Sequence, residues 1–175
     1  LVQFINTFFD TFRRFNSACS LICYNTLGDL FSFDFCNEPQ QLTDFFEETI
    51  QPEIENIPYQ KRSQPCDFIS IAKQISKHNW RSESKKCVYW IASNPARGPT
   101  FCGETGNESD EQELIQLLKE LFKHRMLFAA YSTKEAKTTF DAIKSFSKKK
   151  LYASAKFSYD IIPEDFDSYV DPNIS

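Results

Sequence analysis

The sequence predicts a Rossmann-like α/β domain: three layers, with a mostly parallel sheet, one antiparallel edge hairpin, and helices on both faces. Three observations predict it. Short apolar or alternating runs recur along the chain, and segments with apolar residues at spacings of three and four separate most of them. One pair of runs, however, is joined by a turn too short for a parallel crossover.

Leu1, Ile5, Phe8, Phe9, Phe12 and Phe15 form one apolar helical face, which predicts a first helix. Ala18 to Tyr24 reads as a strand with Cys19, Leu21 and Cys23 on one side. After the turn Thr26-Leu27-Gly28-Asp29, Leu30 to Phe35 alternates Phe31, Phe33 and Phe35 with Ser32 and Asp34. Pro39 opens a helix through Ile50, carrying Leu42, Phe45, Phe46 and Ile50 inward. Pro52 and Pro58 then bracket an irregular stretch.

Asp67 is placed to cap a helix burying Phe68, Ile71, Ala72 and Ile75. Cys87 to Ala92 is a continuous apolar run, the pattern of a strand covered on both faces. Ser109 and Gln112 have capping-box spacing ahead of the stripe Leu114, Leu117, Leu118, Leu121. Met126 to Tyr131 reads as the next strand. Ser132 and Glu135 form a second such box before a helix that buries Ala136, Phe140 and Ile143. Leu151, Ala153, Ala155 and Phe157 alternate as a final strand. The expected division is one domain over 1–157 and an acidic tail over 158–175.

The chain of 175 residues is long enough for one full core, stocked with 18 Phe against a single Met. Net charge is −4, but five acids and no Lys or Arg follow Lys156. Without them 20 basic and 19 acidic residues remain, so the body lacks the basic surface of a nucleic-acid binder. No apolar run approaches the roughly 20 residues of a bilayer span. Leu1 is read as a cut end rather than a signal peptide. Six cysteines and the sequons Asn107-Glu108-Ser109 and Asn173-Ile174-Ser175 favour an extracellular setting over a cytoplasmic one. Cys19 and Cys23 cannot pair along one strand, which leaves Cys36–Cys66 and Cys87–Cys102 as pairs to test.

Catalytic signatures are sparse. The two histidines, His78 and His124, sit at helix ends, and Gly103-Glu104-Thr105-Gly106 lacks the lysine of a phosphate-binding loop. Glu47, Glu48, Glu111 and Glu113 fall on exposed helical faces. Open α/β sheets bind ligands beyond the carboxyl ends of their strands. That rim would hold Ser93, Asn94 and Arg97 after one strand and Ser132 with Thr133 after the next. The loop before the Phe68 helix adds Ser63, Cys66 and Asp67. Oxygen-rich groups of this kind suit a polar partner or a hard cation, and they also serve as caps and turn formers.

The order of elements resembles a von Willebrand factor A-like domain. The segment Lys86-Cys87-Val88-Tyr89-Trp90-Ile91-Ala92-Ser93-Asn94-Pro95-Ala96-Arg97-Gly98 looks like the family's fourth-strand segment, and Pro65-Cys66-Asp67 is similar to a loop of hemicentin-like members. The resemblance implies a protein-binding domain for adhesion or assembly. It also implies a metal-ion-dependent adhesion site, whose Asp-x-Ser-x-Ser motif the chain lacks; the strand that carries it would lie before Leu1. Ser93 and Asn94 stand where the family places an acidic residue. The expectation is therefore no cofactor, with Mg or Mn held weakly at most, and a protein partner on the rim. The rival expectation is an enzyme of another Rossmann-like class using Cys66 or the 93–106 loop. A third is that the tail with Asp160, Phe166 and Tyr169 docks on a basic partner.

Overall fold

The computed structural model describes residues 6, 17–24, 29–56, 64–103, 108–124, 126–147 and 156–161. The expected first helix apart from residue 6, the residues 148–155 and the tail beyond 161 lie outside them. The chain divides into two compact units, Leu1–Arg62 and Ser63–Ser175, which are taken in turn.

In the first unit, β1 (Cys19–Tyr24) and β2 (Leu30–Cys36) pair antiparallel as a two-stranded sheet of their own. Five residues separate the two strands, too few for a parallel crossover, and the turn expected at Thr26-Leu27-Gly28 lies outside the described residues. Cys19, Leu21, Phe33 and Cys36 pack against Leu42, which is fully buried. Leu42 belongs to α1 (Pro39–Phe45), whose Phe45 ring stands 5.1 Å from that of Phe33. The helix does not stop at Ile50. A π turn over Phe46–Ile50 leads into α2 (Gln51–Glu55), so Pro52 is helical and not part of an irregular stretch. A proline in an α-helix lacks an N–H and presses on the carbonyl four residues back. Here the Gln51 N–H reaches the Phe46 carbonyl five residues back, and this wider turn lets the chain continue.

In the second unit, β3 (Cys87–Ala92), β4 (Leu127–Ser132) and β5 (Lys156–Ile161) form an all-parallel sheet in that order. α3 (Phe68–Lys77) precedes β3, α4 (Pro99–Cys102) and α5 (Glu108–Lys123) connect β3 to β4, and α6 (Lys137–Ser147) follows β4. Strand–helix–strand connections of this length produce parallel neighbours. The register sets Trp90 beside Ala130 and Ala92 beside Ser132, all four buried on one face. Phe68, Ile71, Ala72 and Ile75 of α3 complete this core with Leu114, Leu118, Leu121 and Phe122 of α5 and Phe140 and Ile143 of α6.

Four expectations need correction. The Cys87–Ala92 run is not covered on both faces: Tyr89 and Ile91, with Leu127 and Tyr131 on β4, remain between 37% and 44% exposed. Alternation along the strand places them opposite Trp90 and Ala92. The boundary at 157 falls inside β5, which continues to Ile161 in register with Ser132. Ser109 is not an N-cap, because α5 already begins at Glu108 and the Ser109 hydroxyl turns to Asp110. Ser132 does not cap α6 either. It closes β4 as the partner of Ala92, and the hydroxyl of the next residue, Thr133, donates to the Ser93 carbonyl. Among the described residues no helix is long and apolar enough to cross a membrane.

Candidate functional site

The carboxyl ends of β3 and β4 meet the loop ahead of α3 in a set of hydrogen bonds that tie remote segments together. Cys66 N–H donates to the Pro95 carbonyl at 2.8 Å, and Cys66 and Ala96 form a parallel bridge. Ala96 N–H donates to Thr139 Oγ1 at 2.9 Å. That hydroxyl in turn donates to the Phe101 carbonyl at 3.2 Å, and Thr139 is fully buried. On the other side, Thr133 N–H donates to the Ala92 carbonyl at 3.2 Å while its hydroxyl donates to the Ser93 carbonyl. The backbone from Ala92 to Ala96 is thereby fixed by three other segments of the unit.

The predicted rim residues divide by exposure. Ser93 and Arg97 project into solvent. Asn94 is buried, and its side-chain amide bonds the Cys66 sulfur. Asp67 caps α3 as expected: Oδ1 accepts from Ser70 N–H at 3.1 Å and Oδ2 from Ser70 Oγ at 2.6 Å. Ser132 is fully buried, and its Oγ has no partner. Ser63 lies outside the described residues. The rim thus brings together Ser93, Asn94, Arg97 and Asp67 and turns Ser132 into the core.

Thr139 and Glu111 are what sequence reasoning missed. Glu111 does not lie on an open helical face. Its Oε2 accepts from Thr100 N–H at 2.7 Å and its Oε1 from the Thr100 hydroxyl, which holds the first turn of α4. Gly98, just before, has φ 123° and ψ 154°, a conformation essentially restricted to glycine. A glycine beside Pro99 was the available signal; the long-range partner was not.

Burial is the main cause that pushes the Cys66 thiol from 9.0 up to about 11, with the Asn94 bond and the Arg97 charge acting the other way. A rise of two units leaves about a hundredfold fewer thiolates at neutral pH than the ordinary value would. Since the thiolate is the nucleophile, this arrangement is unsuited to covalent catalysis at Cys66. A higher-pKa thiolate is intrinsically more nucleophilic, which offsets part of that loss, so iodoacetamide should label Cys66 of the folded chain more slowly than a free thiol by about tenfold or more, the rate rising with pH. Peptide mapping after timed quenching measures it, and labelling at the free-thiol rate would restore the nucleophile.

The oxygen-rich rim is also the place to look for a metal ion. Among the described residues no three His, Cys, Asp or Glu side chains converge to hold one. Asp67 is already engaged by Ser70, Asn94 by Cys66, and Arg97 adds a positive charge. A divalent cation takes several oxygens and more than one carboxylate, so the described rim oxygens would have to exchange these partners to hold one. The cysteines do not form the pairs proposed from sequence. All six are free; Cys87 is the first residue of β3, whereas Cys102 is the last of α4. Cys36 faces Cys19 across the hairpin instead.

No protein-family model matches the chain, and no curated protein matches it in sequence. Among solved structures, it is similar to the crystal structure of the SpRpn10 VWA domain, with a TM-score of 0.59 and 13% identity. The match covers 97% of this chain and 80% of that one. The fold is accordingly von Willebrand factor A-like. The hemicentin-type likeness rests on the Pro65-Cys66-Asp67 stretch alone.

Proposed function

We propose that this von Willebrand factor A-like domain is a protein-binding module for adhesion or assembly, that it contacts its partner through the strand-end rim, and that it does so without a divalent cation. The observation that carries the reading is the locked backbone of 92–96, which presents exposed Ser93 and Arg97 from a rigid turn. Pre-ordering of this kind lowers the entropic cost of association. Arg97 suits an acidic group on the partner, and Ser93 supplies a small hydrogen-bonding neighbour.

Captured partners are compared for the wild-type chain, Arg97→Glu and Lys77→Glu, the last lying at the opposite end of α3. A like-charge clash at an interface costs several kcal/mol, so Arg97→Glu should weaken capture by about tenfold or more while Lys77→Glu leaves it unchanged. Capture should persist in EDTA, and excess magnesium or manganese should leave the melting temperature where EDTA puts it. A saturable upward shift would establish metal binding to the folded state. Capture insensitive to Arg97→Glu would remove the rim as the contact surface.

A further inference from the structure

We propose that Cys19 and Cys36 are a cross-strand dithiol that closes to a disulfide by exchange with a small-molecule disulfide, covalently stapling the hairpin. The pairing comes from a bulge. From Leu21 onward the register sets Leu21 opposite Phe33, Cys23 opposite Phe31 and Tyr24 opposite Leu30. Continued without interruption, it would set Phe35 opposite Cys19. The register shifts between Cys19 and Leu21, so β2 gains one residue and Cys36 comes opposite Cys19. Both then face Leu42, together with Leu21 and Phe33.

Directly opposed residues on antiparallel strands have Cα atoms about 4.5 or 5.5 Å apart, and a disulfide spans about 4.4–6.8 Å, so the Cys19–Cys36 pairing suits a cross-strand disulfide. The other thiols are placed differently. Cys23 stands opposite Phe31, Cys66 bonds Asn94, Cys87 opens β3 and Cys102 ends α4.

The chemistry balances with one external oxidant. The thiolate of one cysteine attacks oxidised glutathione, forming a mixed disulfide and releasing one glutathione. The second cysteine, giving up its proton, attacks the protein-side sulfur and releases the other. Two protein thiols are oxidised and one disulfide is reduced to two thiols. Burial, and then the neighbouring Cys36, push Cys19 up to about 11, and burial raises Cys36 as well. Exchange is consequently slow at neutral pH and faster as pH rises, which suits a staple set once rather than a rapid sensor.

The full chain is equilibrated with excess oxidised glutathione at mildly alkaline pH, then mapped without reduction after cleavage at acidic residues. Asp29 and Asp34 separate the two cysteines, and fragmentation distinguishes Cys19 from Cys23. The expected product has lost two hydrogens and links Cys19 to Cys36. Closing this loop should raise the melting temperature by roughly 5 °C or more, reversibly on adding a thiol reductant. Cys19→Ser and Cys36→Ser should each leave the remaining cysteine as a glutathione adduct and abolish the shift. A wild-type chain in which either cysteine stays free, carries glutathione or links elsewhere overturns the proposal.

Discussion

Gly98→Ala is expected to destabilise the second unit by roughly 3–5 kcal/mol, combining backbone strain with a steric clash. The backbone there adopts φ 123°, and a Cβ would lie 2.8 Å from the Glu111 Cβ and 2.9 Å from its Oε2. Neither atom can yield easily. The Cβ is fixed to α5, and the carboxylate is held by the backbone and hydroxyl of Thr100. The comparison that isolates the clash is Gly103→Ala. Gly103 also has positive φ, 78°, but its Cβ would meet nothing within 4 Å. That substitution should cost only about 1 kcal/mol, the strain of the left-handed region. Urea denaturation of both variants measures the difference. Equal losses would mean that Glu111 does not constrain Gly98.

Phe140→Ala should cost about 3–5 kcal/mol, because it empties the centre of the second core. Phe140 is fully buried, with its ring centroid 6.0 Å from Trp90 in an edge-on arrangement and 6.2 Å from Phe68. Phe68 and Trp90 are themselves 4.8 Å apart, so removal of one ring leaves two others facing a cavity. Phe140→Leu retains most of the volume and should lose appreciably less. Denaturation midpoints give the magnitudes, and the tryptophan emission of the native state reports whether Trp90 has been reached by water. A loss under about 1 kcal/mol would contradict the three-ring core.

Local periodicity was enough to locate most of this architecture. Phe68, Ile71, Ala72 and Ile75 were identifiable as one helical face, and all four are buried. The same holds for Leu114, Leu118 and Leu121, and for Ala136, Phe140 and Ile143. The antiparallel sense of β1 and β2 followed from turn length, and the parallel sense of β3 and β4 from the helices between them. Asp67 was recognisable as a cap because its partner, Ser70, lies only three residues away.

What local pattern left open were the pairings made across long stretches of chain or across a break in periodicity. Thr139 reads as an ordinary helical threonine until Ala96 and Phe101 arrive from about 40 residues away to use both sides of its hydroxyl. Glu111 reads as a solvated acid until Thr100 is folded beneath it. Ser132 has the spacing of a capping box, yet β4 extends one residue to pair with Ala92 and draws it into the core. Cys19 and Cys36 have opposite parity, so a strict alternation of two places them on opposite sides of the hairpin. One extra residue in β2 reverses that assignment. The sequence by itself determined which residues are apolar on which local face, since period and polarity are properties of neighbouring side chains. Only the tertiary structure decided which polar groups meet, because each hydrogen bond requires a partner that chain proximity does not specify.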